Sequence, residues 1–297
     1  MTCARHKGGK VLKHIAMTAL AALGLSLVAA PALAQEAAPT SAESSVFSGD
    51  FLIVGAGVAV VPSYEGSDDL SVTPAGAVAG RIGGIGINAR AFGLALDFID
   101  DSSRKGGAGF TLGPVLRYRT NRSGRIGDDV VARLGKLKGV VEAGVVAGID
   151  FKRVLNPYDS LSFSVDLRWD VSGRGSGLIV APGISYLTPV SKGIAVGGVV
   201  SANFVDGRYA NYNYSISPAG SAASGLPAYT ARGGFKDMGV GAFTAFDLDG
   251  NFLDGGPAIG FGAMYSRLFN SAAETPITSI RGRRGQLIFG AAASYTF

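Results

Sequence analysis

From Ser160 to Ser172 the chain alternates without an exception. Leu161, Phe163, Val165, Leu167, Trp169 and Val171 occupy one parity, and Ser160, Ser162, Ser164, Asp166, Arg168, Asp170 and Ser172 the other. Successive side chains of a strand point to opposite faces, so a period of two makes one face apolar and the other polar. Gly139, Val141, Ala143, Val145, Ala147, Ile149 and Phe151 interleave in the same way with Val140, Glu142, Gly144, Val146, Gly148, Asp150 and Lys152. At the carboxyl terminus Leu287, Phe289, Ala291, Ala293, Tyr295 and Phe297 interleave with Gln286, Ile288, Gly290, Ala292, Ser294 and Thr296. Followed along the whole chain, the pattern predicts eleven segments, near 50–61, 70–81, 84–99, 107–120, 137–152, 159–172, 176–188, 192–206, 235–249, 255–270 and 285–297.

Tight connections such as Asn156-Pro157-Tyr158-Asp159 and Pro189-Val190-Ser191-Lys192 alternate with long ones at 120–136, 207–234 and 271–284. Short turns on one side and long loops on the other are the pattern of an outer-membrane barrel. The segments also exceed the roughly 9 to 11 residues that a tilted strand needs to cross a bilayer. A soluble sandwich would alternate as well, but with shorter strands and larger aliphatics on the covered face. Single-chain bacterial barrels have an even strand number, so eleven needs one correction, and 84–99 supplies it. Its apolar positions are odd at Ile85, Ile87 and Ala89 but even at Phe92, Leu94, Leu96 and Phe98, which marks a hairpin or a bulge near Ala91. The expected fold is therefore all-β, a transmembrane antiparallel up-and-down β-barrel of about 12 strands if the hairpin forms. The alternative is about 10, with a bulge there and two weak segments merged elsewhere.

Ahead of the strands, Arg5, Lys7, Lys10 and Lys13 precede an apolar run from Ile15 to Ala30, and Ala32-Leu33-Ala34 stands before Gln35. This is the order of a cleaved secretory signal, with the cut expected between Ala34 and Gln35. A retained anchor helix would need neither Pro31 nor the small-x-small tripeptide. The chain then divides into a signal peptide (1–34), a polar linker (35–45) and a barrel domain (46–297). Beyond residue 34 no apolar run reaches the 18 residues of a spanning helix, and the charge-free stretch from Tyr209 to Ala231 is rich in Ser, Asn, Gly and Pro and reads as a loop. The expected location is the outer membrane of a Gram-negative bacterium, among lipid and lipopolysaccharide.

The formal charge of +5 comes largely from the leader, which holds four bases and no acid. The remainder is close to neutral, which argues against a nucleic-acid partner. Cys3, His6 and His14, the single cysteine and both histidines, also lie in the leader. Its removal excludes disulfides, Ser-His-Asp or Cys-His nucleophilic sites, and zinc bound through His or Cys. No catalytic residue, metal ligand or cofactor is expected, and the enzyme classes fall away.

What remains is polar chemistry on an apolar scaffold. Arg117, Arg119, Glu142, Asp166, Arg168 and Asp170 lie on polar parities and should face the lumen, where unpaired charge is expensive and salt bridging is expected. Tyr209, Tyr212, Tyr214 and Tyr229 crowd the longest loop, either as an exposed contact surface or as part of an interfacial belt. Glu65, Asp68 and Asp69, with Asp100 and Asp101, sit in loops between early strands, either as a weak divalent-cation site bridging lipopolysaccharide phosphates or as solvated loop acids. Asp247-Leu248-Asp249-Gly250-Asn251 begins like a calcium loop but has Phe252 at the sixth position and Ala258 at the twelfth, so it reads as a polar turn.

The residues from Pro62 to Asp69, Ile99-Asp100-Asp101 and Gly113 to Tyr118 together resemble the MipA/OmpV family of outer-membrane proteins. So do Ser217-Pro218-Ala219, Ser221 to Tyr229, Lys236-Asp237, Ser266-Arg267-Leu268 and Ser271 to Ile277. The resemblance covers essentially the whole chain beyond the leader. It implies an outer-membrane barrel acting as a scaffold between a murein-cleaving lytic transglycosylase and a penicillin-binding protein. The ending Tyr295-Thr296-Phe297 resembles the signal read by barrel-insertion machinery. A small-solute channel or uptake barrel is the alternative function, resting on the glycine-rich, sparsely charged lumen parity.

Overall fold

The structure, a computed structural model, describes residues 45–101, 107–175 and 177–297. The expected signal peptide, the Ala34–Gln35 cut and nearly all of the linker lie outside the described residues. Twelve strands close into one antiparallel barrel in which each strand pairs with its sequence neighbours and the first with the last. They are β1 (Phe51–Pro62), β2 (Leu70–Ile82), β3 (Ile85–Arg90), β4 (Gly93–Asp97), β5 (Ala108–Arg119), β6 (Val140–Lys152), β7 (Ser160–Asp170), β8 (Leu178–Ser191), β9 (Ile194–Val205), β10 (Gly234–Asp247), β11 (Gly256–Leu268) and β12 (Gly285–Thr296). The parity switch near Ala91 is a hairpin: β3 and β4 pair from Gly86↔Asp97 to Arg90↔Gly93 around Ala91 and Phe92, and Phe92 turns the corner at φ +54°.

The two parities separate as lipid demands. Val58, Leu112, Leu116 and Phe261 stand about half exposed on the outside, while Glu142 and Val146 inside are 1% and 0% exposed. The connections sort by end. Residues 63–69, 120–139, 171–175, 206–233 and 269–284 lie at one end; the start of β1, the end of β12 and the turns at 83–84, 153–159, 192–193 and 248–255 lie at the other. Bacterial barrels keep short turns in the periplasm, so the second end is periplasmic. The end of β4 and the start of β5 lie at this same end, with residues 98–101.

The long loops are not featureless, and here the reading of Tyr209 to Ala231 as plain loop is corrected. They carry α1 (Asp129–Ala132), α2 (Gly207–Tyr214), α3 (Pro218–Ser224), α4 (Asn270–Glu274) and α5 (Pro276–Ser279). Asp206 caps α2 by accepting from the Tyr209 N–H at 2.8 Å. Ser217 caps α3 ahead of Pro218 in its first turn, and Gly225 ends α3 at φ +77°. Asp before the first turn, Ser-Pro at a start and Gly past an end are ordinary helix punctuation. They were legible but outweighed by the Ser, Asn and Gly around them.

β1 pairs with β12 from Ile53↔Thr296 to Val60↔Phe289, and reciprocal bonds between Leu52 and Phe297 extend the closure to the last residue. Tyr295 and Phe297 both face outward at the periplasmic rim with rings 4.7 Å apart. At this seam Gly57 lies so close to β12 that a Cβ would stand 2.1 Å from the Ala291 carbonyl oxygen and 2.6 Å from the Ala292 Cα. Both are backbone atoms that cannot rotate away. Gly57→Val should therefore lower barrel stability by about 3 kcal/mol or more; the fraction migrating as the compact, unheated form on electrophoresis should fall well below wild type.

Candidate functional site

The extracellular half of the lumen is filled by the loops themselves. α2 and α4 pack inward against the ends of β8, β9 and β11, burying Tyr209, Tyr214, Ala272 and Leu268 with Ile179 and Val205. A second apolar cluster joins Tyr64, Val131, Ile216, Leu226 and Ile277, drawn from four of the extracellular loops. Residues 63–69 lie on the stretch before β12: Gly66 accepts from the Arg283 N–H at 2.8 Å, and Gln286 Oε1 accepts from the Gly66 N–H at 3.1 Å. Gly66 sits at φ +95°, and a Cβ there would stand 2.2 Å from Thr278 Oγ1. Arg281 grips Asp128, the cap of α1, at 2.6 and 2.9 Å.

Beneath this apolar cap runs a charged girdle. Glu142 takes Arg119 at 2.6 Å on one oxygen and Arg168 at 2.9 Å on the other, and its side chain is 1% exposed. Arg90 reaches from the β3–β4 hairpin to Asp166 on β7 with two bonds, 2.9 and 3.0 Å. Arg119 Nη1 donates to Asn213 of α2 at 2.6 Å, and its guanidinium carbon lies 4.6 Å from the Tyr209 ring centre. A bulge at Lys236 breaks the β9–β10 register and turns Lys236 and Asp237 into the interior together. Lys236 Nζ then bonds Asp237 at 2.7 Å and Glu65 at 3.0 Å, while the Tyr214 hydroxyl donates to the second Glu65 oxygen.

Thus α2 is held to the wall at Arg119 and to the first extracellular loop at Glu65. Burial works against the Glu65 carboxylate, but Lys236, the Tyr214 hydrogen bond and Arg119 outweigh it and hold its pKa down to about 2. Burial pushes the Tyr214 phenol well above its ordinary range, and the Glu65 charge adds to the effect.

Of the charges expected in the lumen, Arg119, Glu142, Arg168 and Asp166 form one continuous network. Among the described residues Arg117, beside it, makes no ion pair, and its Nε has no hydrogen-bond partner. Asp170 instead organises the turn after β7, accepting from the Ser172 N–H at 2.8 Å and the Arg174 N–H at 2.8 Å. The tyrosine expectation needs a larger correction. Tyr209 and Tyr214 are each 1% exposed and belong to the plug, because helix α2 rolls them inward. Tyr212 is half-buried with its hydroxyl on the Lys138 carbonyl at 3.0 Å, and Tyr229 is half-buried in a two-residue bridge with Ile216. The proposed cation site does not assemble, since Glu65, Asp68 and Asp69 lie at the extracellular end and Asp100 and Asp101 at the periplasmic end. Asp247 makes a polar turn, accepting from the Asp249 and Asn251 N–H groups at 3.0 and 2.9 Å.

Arg90, Asn213 and Gln286 were missed as functional residues. Arg90 carried one signal, its polar parity within the odd-register half of 84–99. Asn213 carried none, because its direction depends on the helix.

The periplasmic end holds a rigid knuckle between β6 and β7. The Asp159 carboxylate is buried and accepts from the Val154, Leu155 and Asn156 N–H groups and from the Tyr186 hydroxyl, at 2.6, 2.8, 3.2 and 2.7 Å. The turn so fixed presents Leu155 and Tyr158 at 79% and 76% exposure.

Residues 54–297 match the family model described as MltA-interacting protein MipA. No curated protein sequence matches the chain. Among solved structures, an outer membrane channel from Pseudomonas putida F1 is similar at 13% identity and a TM-score of 0.41, over 88% of this chain and 100% of that one. The CymD monoaromatic hydrocarbon channel is similar at 9% identity and a TM-score of 0.37, over 84% and 89%. The Pseudomonas putida toluene transporter TodX is similar at 10% identity and 0.34, over 84% and 89%.

The depressed Glu65 pKa fixes a pH window for the plug. A carboxyl lowered from 4.5 to about 2 on folding contributes stability that is complete above about pH 4.5 and is lost as the pH falls toward 2. Protection of the α2 amides, taken against their intrinsic exchange rates, should accordingly fall between pH 4.5 and 2 and stay flat from 5 to 8. Glu65→Gln should abolish that acid dependence and ease local opening at neutral pH by about 3 kcal/mol, since it strips one partner from a buried pair.

Proposed function

The chain belongs to the family of MltA-interacting proteins, MipA, and from that premise we propose that it is a non-enzymatic outer-membrane anchor for a murein-remodelling complex. The complex joins a lytic transglycosylase of the MltA kind to a penicillin-binding synthase. The observation that carries the reading is the plug: α2 occupies the lumen and is tied to both wall and loops. A barrel with its axis filled in this way serves as a fixed support in the membrane. The enzymes act on murein, so the contact belongs at the periplasmic end, where the Leu155–Tyr158 knuckle is both exposed and held in one conformation. Preorganised aromatic and aliphatic anchors are the residues that dominate protein contacts.

Crosslinked envelopes test the proposal. Capture of the barrel should recover a lytic transglycosylase, and Leu155→Ser with Tyr158→Ser should reduce that recovery at least tenfold while the barrel still migrates as the compact form. Wild-type capture without any murein enzyme would refute it. The channel alternative is tested separately in planar bilayers. The intact barrel should be electrically silent, and removal of 207–233 should produce discrete conductance; conduction by the intact protein would favour the channel.

A further inference from the structure

The outer wall over β5 to β10 is not smooth. A concavity of about 650 Å³ lies there among outward-facing side chains. Its floor follows one row of the sheet: Ala147 pairs with Val165 and Val165 with Pro182, and past Pro182 the Gly183↔Ser201 pair carries the row to Ala202, which pairs with Met238. The next row toward the periplasm is bulkier, running from Phe110 through Ile149 to Phe163 and Ile184. Ala and Pro beside Phe and Ile leave a trough in the face. Strands of a barrel tilt against its axis, so a row across them runs obliquely through the bilayer. This one starts near the extracellular ends of β9 and β10, at Ala202 and Met238, and reaches mid-strand at Ala147 of β6. An outer-leaflet hydrocarbon chain makes the same descent.

The upper end of the trough meets positive charge. Met238 pairs with Arg267 of β11, which is exposed on the outward parity, and the other cross-strand neighbour of Arg267 is Gly285. Neither neighbour offers a carboxylate. Trp169, Tyr118 and Tyr265 stand outward near the extracellular ends of β7, β5 and β11, and such aromatics mark the headgroup level of a membrane. Arg267, one outward position beyond Tyr265, therefore stands where headgroup phosphates lie. Arg208 and Arg232, both exposed, follow β9 and precede β10 at the same rim. The acids at these two strand ends are occupied, since Asp206 caps α2 and Asp237 is buried on Lys236.

We propose that this face binds one lipopolysaccharide molecule of the outer leaflet, with an acyl chain of its lipid A in the trough and a glucosamine phosphate on Arg267. The extracellular position selects the outer leaflet. The oxygens of a phosphate match the guanidinium fork, and a trough gives a saturated chain contacts on three sides that a smooth wall would offer on one. The site is independent of the murein reading, since it uses the outer wall of the barrel and not its periplasmic turns.

Native mass spectrometry tests it on the purified protein, reconstituted in nanodiscs that contain lipid A and phosphatidylglycerol and then released into detergent. One lipid A per barrel should be retained at saturation, in preference to phosphatidylglycerol. Arg267→Gln should weaken the apparent affinity about tenfold. Ala202→Trp, which fills the trough from outside and leaves the lumen untouched, should also lower retention, whereas Val58→Trp on the outward face of β1 should not; migration as the compact form checks that each variant is folded. Equal retention of phosphatidylglycerol, equal retention of lipid A stripped of its phosphates, or wild-type retention by either Arg267→Gln or Ala202→Trp would each overturn the proposal. The knuckle variant should hold lipid A as the wild type does, so this proposal and the anchor role fail separately.

Discussion

In a bilayer a sheet must satisfy its backbone groups from within, and the pairing of β1 with β12 is where this chain meets that demand. The strand ladder has no free end once Leu52 and Phe297 exchange their two bonds. Everything else in the molecule follows from the closure. One parity of each strand is turned to lipid, so Val, Leu and Phe stand outside, and the other is turned to an enclosed space too narrow to hydrate freely. Arginines and carboxylates on that parity find each other across neighbouring strands and, at Arg90–Asp166, across the lumen.

The plug uses the same economy of polar groups. α2 brings Asn213 and Tyr214 to charges the wall already carries, so each buried donor meets an acceptor that burial has made strong. The bulge at Lys236 is the device that allows it, because it turns two consecutive charged residues inward where a regular strand would present one. Lys236 can then neutralise Glu65 from the first loop and Asp237 from its own strand. Apolar clusters above the girdle lend the cap a small core of its own, assembled from loop residues far apart in sequence.

The filled axis, the fixed periplasmic knuckle and membership of the MltA-interacting family are the observations on which the proposed anchor role rests. Among the described residues, β2 pairs with the short β3–β4 hairpin only at Gly80, Arg81 and Ile82, so the ladder is thinnest there.

The sequence by itself determined the barrel, its strands to within a few residues, its inward charges and the family, because a two-residue period repeats locally and does not depend on distant contacts. It left the twelfth strand open between a hairpin and a bulge near Ala91, since both produce the same parity switch. Only the tertiary structure decided that Tyr209 and Tyr214 point inward, that Glu65 meets Lys236 across 171 positions of chain, and that Asp100 stands far from Asp68. Those outcomes depend on which loops fold over the lumen, and a loop's direction is set by helix phase, a bulge and long-range partners that no local pattern records.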